Sequence, residues 1–186
     1  MATQTRTGMF QALSNFQFAR DRAATLSQNL IRLRNESLQE TLSDFENSEH
    51  KLEYVKTIEG VDFINDSRAT NANAVWFAME NMPQPITWIT NMNSVEQITD
   101  SLEQIILEKV KIIVIQGVYN SALGVFLKKM GKDVYMVTGM EDAVRTAFYA
   151  SSSDETILFS PGVVSAGMYR TYRERGEKFK EAVAQL

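Results

Sequence analysis

The feature that most constrains the fold of this chain is an alternation of short apolar runs with longer amphipathic stretches, which begins near residue 52 and continues to the C terminus. One run, 110–115, is almost continuously apolar, as is typical of a central strand in a parallel sheet. Strands that alternate with helices imply a mostly parallel sheet with helices on both faces. The sequence therefore predicts an α/β fold of Rossmann-like type.

Turn-forming and helix-breaking residues set the expected bounds of these elements. Glu59-Gly60 separates the first two strands, which indicates a hairpin, and Pro83 and Gly131 each end a helix. The predicted strands are 52–57, 61–64, 86–89, 110–115, 134–137 and 157–159. The predicted helices are 71–82, 95–107, 122–130, 141–150 and 168–184.

The alternation is preceded by an N-terminal segment, residues 1–48, for which the sequence predicts helices. Between positions 13 and 33, apolar residues recur at steps of three and four, as they do on one face of an amphipathic helix. We therefore divide the chain into a helical segment, 1–48, and an α/β domain, 49–186. The apolar stripe needs a cover. It packs either on the chain's own α/β domain or on a partner, such as a second copy in a homodimer.

Composition excludes several classes of function. The chain of 186 residues is long enough to bury a sizeable core, and it has no cysteine and one histidine. A thiolate site is therefore excluded, and we predict no metal site. The net charge of −4 and the lack of a basic tract make nucleic acid and anionic membranes poor partners. No apolar run approaches membrane-spanning length, so we expect a cytoplasmic location.

A dense run of small polar residues follows the second predicted strand, just before a helix. Asn65, Asp66, Ser67, Thr70 and Asn71 all fall in this run. Such a turn brings together side-chain oxygens, free N–H groups and the positive end of a helix dipole, which suits a nucleotide or an anionic substrate. Helix capping is the alternative explanation, but it accounts for only one or two of these residues.

Two further polar loops, 90–94 and 160–165, also follow predicted strands. Ligands of open α/β sheets bind beyond the carboxyl ends of the strands. We therefore expect these loops and residues 66–71 to line one rim, with Gln116 and Gly117 at its border. Because strand-to-helix loops are generally polar, this convergence is only supporting evidence for a site.

Four stretches of the chain resemble motifs of one family, in the family's order. Residues 65–71, Asn-Asp-Ser-Arg-Ala-Thr-Asn, resemble the N-D-S-K-A-T-N motif that opens the C-terminal domain of the Mur ligases. Residues 50–55 resemble the H-R-x-E-x-V stretch, 158–165 the L-L-S-P-A-C-A-S loop, and 172–179 the F-E-x-R-G-x-x-F tail. The resemblance is strongest with the branch of the family that adds D-glutamate.

The resemblance implies the C-terminal substrate-binding domain of an ATP-dependent amide ligase that builds peptidoglycan precursors. Residues 1–48 then correspond to the last helices of the family's central, ATP-binding domain. Intact members use ATP and Mg²⁺, whereas no cofactor is assigned to this chain itself. The expected ligand is a nucleotide or an amino-acid-type small molecule.

The resemblance also implies roles for individual residues. No catalytic residue is among them, because the family's phosphate chemistry lies mainly in the central domain. The nucleotide-binding role falls on Lys51, Asp66 and Asn71. The substrate-binding role falls on Arg68, Thr70, Ser165 and Tyr172.

The chain departs from the family where catalysis is concerned. In place of a glycine-rich loop whose lysine pairs with the substrate carboxylate, residues 90–94 are Thr-Asn-Met-Asn-Ser. No G-x-x-x-x-G-K-[ST] phosphate loop occurs either. We therefore expect that the chain is not a complete catalyst by itself.

Two functions stay open at this point. The chain is either the C-terminal part of an amide ligase that works with the missing Mur domains, or a free-standing, non-catalytic ligand-binding or regulatory module. Met1 and the altered loop favour the module, whereas the retained polar loops favour a surviving ligand site.

Overall fold

A six-stranded sheet with the strand order β1-β2-β6-β3-β4-β5 forms the centre of the protein. This computed structural model describes residues 49–83, 85–118 and 120–186, so the predicted helical segment 1–48 lies outside the described residues. Strand β1 pairs with β2 as an antiparallel hairpin, and the other pairs are parallel. The strands are β1 (Glu53–Ile58), β2 (Val61–Asn65), β3 (Ile86–Thr90), β4 (Val110–Gln116), β5 (Asp133–Val137) and β6 (Thr156–Phe159).

Five α-helices cover this sheet in the described part of the chain. They are α1 (Ala72–Glu80), α2 (Asp100–Lys109), α3 (Ser121–Lys129), α4 (Met140–Ala150) and α5 (Tyr172–Ala184). Helix α4 contacts α5, β3 and β4, while α2 packs against α1 and β4. The predicted mostly parallel α/β fold of Rossmann-like type is confirmed. No helix within these described ranges is long and apolar enough to cross a bilayer.

Side chains that alternate along the central strands build an apolar layer on each face of the sheet. Phe63 and Phe159 belong to a cluster that includes residues of α4 and α5. Their neighbours Ile64 and Leu158 point to the opposite face and are equally buried. A sheet that is covered on both faces leaves its edges and its strand ends for function.

Two predicted helix starts are wrong. The stretch expected as one helix, 95–107, is a short 3₁₀ turn, Val95–Gln97, followed by α2. The break occurs because Thr99 caps α2 by accepting a hydrogen bond from the Leu102 N–H at 3.4 Å. Likewise, the last helix begins at Tyr172 rather than at residue 168.

The late start of α5 has a local cause that is visible in the sequence. The Thr171 hydroxyl oxygen accepts from the Glu174 N–H at 3.1 Å. The Glu174 carboxylate in turn accepts from the Arg170 N–H at 2.8 Å. Thr171 therefore caps α5 and sets the first turn at the next residue, while Glu174 binds the residue before the cap.

Candidate functional site

The loops that follow the parallel strands form a continuous rim at one edge of the sheet. The loops after β3 and β6 are joined, since Asn91 N and Thr90 Oγ1 both donate to the Pro161 carbonyl, at 3.0 and 3.1 Å. The loop after β2 joins them through the Asp66 N–H, which donates to the Phe159 carbonyl at 2.8 Å. The expected convergence of these polar loops is therefore present.

Asp66 lies at the start of this rim and is only 5% exposed. Its Oδ1 accepts from the Leu52 N–H at 3.3 Å, and its Oδ2 accepts from the Ser160 hydroxyl at 2.8 Å. Burial raises the pKa of Asp66 to about 7, although both hydrogen bonds and the charges of Lys51 and Arg68 favour the carboxylate. At neutral pH this carboxyl group can therefore donate or accept a hydrogen bond.

A pocket of about 280 Å³ opens beside this carboxyl group, and we call it the Asp66 pocket. It combines two basic side chains and one carboxyl group with an apolar floor, a combination that suits a ligand with both a flat apolar part and polar groups. The pocket brings Lys51 and Asp66, both predicted to bind a nucleotide, together with Arg68. Its lining comprises Lys51, Leu52, Asp66, Arg68, Ala69, Ala74 and Phe77.

Besides Ser165, three predicted site residues lie outside the lining of the Asp66 pocket. Asn71 caps helix α1, because its Oδ1 accepts from the Ala74 N–H at 3.0 Å. Thr70 is half-buried. The Tyr172 ring lies beneath the Arg68 guanidinium group, whose central carbon is 5.5 Å from the ring centroid. Tyr172 therefore holds Arg68 in place.

A second pocket, of about 410 Å³, lies between the loops that follow β3, β4 and β6, and we call it the Ser165 pocket. It contains Ser165, the remaining predicted substrate-binding residue. Its wall is rich in amide side chains, and aliphatic side chains surround its mouth. The amides are Asn91, Asn93, Gln97 and Gln116, and the aliphatic residues include Val118, Val164 and Met168.

Two oxygen atoms of residues in the Ser165 pocket are buried without a hydrogen-bond partner among the described residues: Ser165 Oγ and Asn91 Oδ1. A buried polar atom without a partner costs about 1–3 kcal/mol. Most such atoms in folded proteins are paired, so two in one pocket need an explanation. Both atoms are closed off from solvent, so a molecule in the pocket reaches them only if the surrounding loops move.

Arg175 connects the loop after β2 to the loop after β6, and the sequence analysis does not assign it a role. It is 1% exposed. One terminal nitrogen donates to the Ser67 carbonyl at 2.8 Å, the other donates to the Val163 carbonyl at 3.0 Å, and Nε donates to Ser67 Oγ at 3.2 Å. Burial lowers the pKa of Arg175 to about 10, which still leaves it charged at neutral pH. Arg175 thus ties the loops after β2 and β6 to helix α5.

A signal for this role was present in the sequence. Arg175 lies four residues before Phe179, and both belong to the buried face of α5. An arginine on the apolar face of a helix needs buried acceptors, because the charged group is rarely buried unpaired. Loop carbonyls supply these acceptors here, and carbonyls carry no signature in the sequence.

A cluster of acidic residues and one histidine lies at the entry to the domain. Ligand atoms of Glu49, His50 and Glu177 lie within 4.8 Å of one another. However, Lys180 Nζ is 2.9 Å from the Glu49 carboxylate and 2.8 Å from the Glu177 carboxylate. Burial alone would lower the pKa of Lys180, but these contacts and Glu53 raise it above its usual value. A divalent cation would have to displace this ammonium group.

Comparison with known proteins identifies relatives over most of this chain. Over 165 residues it is 38% identical to the UDP-N-acetylmuramoylalanine–D-glutamate ligase of Bacteroides fragilis, a match that covers 88% of this chain and 37% of that protein. The ligase of the same name from Christiangramia forsetii is 35% identical over 164 residues, again 88% of this chain and 37% of that protein. The chain therefore spans little more than a third of the length of these relatives. No family model matches it.

Solved structures agree on the fold. The UDP-N-acetylmuramate-alanine ligase of Thermotoga maritima superposes with a TM-score of 0.50, covering 76% of this chain and 31% of that protein. The sequence identity of this match is 14%, so it bears on the fold alone.

Proposed function

We propose that this chain, which belongs to the Mur ligase family and matches one part of these enzymes, acts as the C-terminal, substrate-binding part of an ATP-dependent amide ligase for a peptidoglycan precursor. The names of these relatives describe ligases that join UDP-N-acetylmuramoylalanine and D-glutamate. The order of the four motifs supports the C-terminal assignment. The other parts of such a ligase, or a second copy of the chain, are the proposed protein partners.

The observation that carries this proposal is the pair of pockets on one rim, each lined by motif residues. In the Asp66 pocket, the carboxyl group of Asp66 suits a sugar hydroxyl, and the cations Lys51 and Arg68 suit the anionic part of a nucleotide. In the Ser165 pocket, amide and hydroxyl groups suit the amino-acid substrate. We propose that Asn71, Thr70 and Tyr172 support these sites by ordering the loop and Arg68.

The described residues do not fit Mg²⁺, and the sequence has no G-x-x-x-x-G-K-[ST] loop to cradle the β- and γ-phosphates of ATP. Both carboxylate oxygens of Asp66 are already held by Leu52 and Ser160, and Lys180 occupies the cluster at Glu49. Transfer of a phosphoryl group needs a metal and a phosphate-binding loop to neutralise the developing charge. We therefore assign this chemistry to the other parts of a complete ligase and derive no such step from this chain.

The loop after β3 favours a second candidate function, a non-catalytic ligand-binding or regulatory module. Its backbone is held by amides, since Asn120 Nδ2 donates to the Asn93 carbonyl at 2.5 Å and the Asn93 N–H donates to Gln97 Oε1 at 2.8 Å. The loop presents no lysine to a substrate carboxylate. For either function we propose a cytoplasmic location.

An assay of ligation tests the proposal. The purified chain is mixed with ATP, Mg²⁺, UDP-N-acetylmuramoyl-alanine and D-glutamate, with the Bacteroides fragilis ligase as the positive control. We expect neither phosphate release nor amide product from the chain alone. Catalytic formation of the amide by the chain alone would contradict this expectation.

A second mixture separates the two candidate functions. It adds the part of the Bacteroides fragilis ligase that precedes the matched region. Product formed only in this mixture supports the substrate-binding part of a ligase. If no product forms although the added part binds ATP, the non-catalytic module is favoured.

A further inference from the structure

We propose that the outer edge of strand β5 is a self-association surface, where a second copy of this chain adds its own β5 antiparallel and extends the sheet across a twofold axis at Tyr135. This inference goes beyond the proposed function, because no residue of β5 lines the Asp66 pocket or the Ser165 pocket. It gives a defined surface to the second copy of the chain, which is one of the proposed partners.

The outer edge of β5 lacks the features that usually prevent strands from pairing. In the part of the chain that the structure describes, no strand pairs with this edge. All five residues of Asp133–Val137 keep a regular register with β4, and Asp133 is the only charged residue among them. The other edge strand, β1, has an exposed lysine, Lys56, and its register shifts between Tyr54 and Lys56, as at a β-bulge. Bulges and edge lysines oppose edge-to-edge pairing, so β1 is protected and β5 is not.

The hydrogen bonds between β4 and β5 show which backbone groups point outward. The Val137 carbonyl accepts from the Gly117 N–H at 2.9 Å, on the β4 side. Because successive residues of a strand direct their N–H and C=O groups to opposite sides, Val134 and Met136 direct theirs to the open edge. Residues that lie opposite each other in a hydrogen-bonded antiparallel pair exchange both bonds. A second β5 whose Met136 lies opposite Val134 therefore satisfies the outward groups of both copies.

This register makes β5 its own complement. It is symmetric about Tyr135, which lies opposite its own copy in a non-hydrogen-bonded pair, where the Cα atoms are about 4.5 Å apart. Tyr135 is 43% exposed, so such a pair buries aromatic surface that now faces solvent. The two Asp133 side chains lie at opposite ends of the paired strands and do not repel each other. One strand thus meets the demands of both sides, which favours a second copy over an unrelated peptide.

A groove of about 210 Å³ between α3 and β5 adds to this self-complementarity. Val134 and Met136 line it from the strand, and Val125, which is 52% exposed, lines it from the helix. Helix α3 connects two parallel strands and so runs antiparallel to β5. The twofold axis then brings the two Val125 side chains toward each other. It places Lys128 on the side of Ser121 of the other copy, so the two Lys128 side chains are kept apart.

Sedimentation equilibrium on the full chain tests for the dimer. Over a range of roughly 10 μM to 1 mM we expect a reversible monomer–dimer equilibrium with a Kd on the order of 10–500 μM, because so short a strand pair is at the low end of interface size. A monomer at every concentration would overturn the inference and leave the edge to an extended peptide of another protein.

A charge at the twofold axis tests the surface. Tyr135→Lys should weaken the dimer at least about tenfold, because two ammonium groups would lie opposite each other. The matched control is Tyr149→Lys, since Tyr149 is 77% exposed and its ring contacts Phe148, which packs against Phe63 of β2, three strands away from β5. The melting temperature of each variant checks that the monomer is folded. An unchanged Kd for folded Tyr135→Lys would contradict the inference.

Cysteine substitutions test the register, because the chain has no cysteine of its own. Under mild oxidation Tyr135→Cys should form a covalent dimer, because a Cα separation of about 4.5 Å is within the range that a disulfide spans. Asp133→Cys should not, because its two copies would lie about 13 Å apart along the strands. A dimer that Tyr135→Cys does not crosslink, or that Asp133→Cys crosslinks equally well, would use another surface or register and would refute the proposal.

Discussion

Replacing Arg175 with methionine should destabilise the protein substantially, because Arg175 satisfies buried acceptors in two loops. Ser67 is fully buried, and its carbonyl oxygen would lose this donor, as would the Val163 carbonyl, while the Ser67 hydroxyl keeps its bond to the Tyr172 carbonyl at 2.7 Å. Each orphaned buried acceptor costs about 1–3 kcal/mol, and relief of the buried charge offsets part of this cost. Methionine fills much of the same volume. We therefore expect Arg175→Met to lower the free energy of unfolding by about 2–4 kcal/mol.

Urea denaturation followed by circular dichroism measures this loss. Arg173→Met is the matched control, because Arg173 is exposed and its guanidinium carbon lies 5.3 Å from the Tyr172 ring centroid. An exposed cation–π contact contributes about 0.5–1 kcal/mol, so the control should lose no more than that. Arg175→Lys should fall between the two, because one ammonium group cannot replace the planar fork. Equal losses for Arg175→Met and Arg173→Met would refute the role given to Arg175.

Three further predictions follow from contacts elsewhere. Burial raises the pKa of Asp66 from its usual 3.8 to about 7; the folded state therefore keeps a proton that the unfolded chain releases, and this stabilisation is full below pH 3.8 and lost as the pH rises through 7. Asp66→Asn should remove this decline in the free energy of unfolding, which urea titrations at several pH values measure. A pH dependence equal to that of the wild type would contradict the raised pKa of Asp66. Gly176→Ala should cost about 1–3 kcal/mol, because a Cβ there would lie 2.3 Å from His50 Nδ1, whereas Gly139→Ala, with no contact closer than 3.6 Å, should be nearly neutral in the same assay. Zn²⁺ should raise the melting temperature of Lys180→Ala but not of the wild type; an equal rise in both would mean that the ammonium does not block the cluster.

The strand and helix alternation could be predicted because it depends on local apolar periodicity. The near-continuous run 110–115 marked a strand buried on both faces, and β4 has that character. The starts of α2 and α5 were missed because periodicity continues across their caps. Thr99 and Thr171 set these starts by hydrogen bonds, and a capping-box search would have located the start at Thr171.

The candidate site was predictable only in part. The position of Asp66 at the end of a strand was sufficient to place it on the rim, because topology determines where strand ends lie. That Asp66 and Ser165 line two different pockets was not predictable, because it depends on how loops that are distant in the sequence pack together. The unpaired oxygen of Asn91 likewise depends on a contact with Gln116, which is 25 residues away in the sequence.

The central claim is that the chain holds a nucleotide beside Asp66 without the machinery to use it for ligation. Chemical-shift mapping with ATP on the full chain tests this claim most directly. We predict weak binding, with a Kd of roughly high-micromolar to millimolar, because Lys51 and Arg68 meet the phosphates without a phosphate-binding loop. The largest shifts should occur at Lys51, Asp66 and Arg68, and Asp66→Ala should weaken them while the exposed control Asp142→Ala should not. Shifts centred away from residues 66–71, or equal binding by Asp66→Ala, would contradict the account.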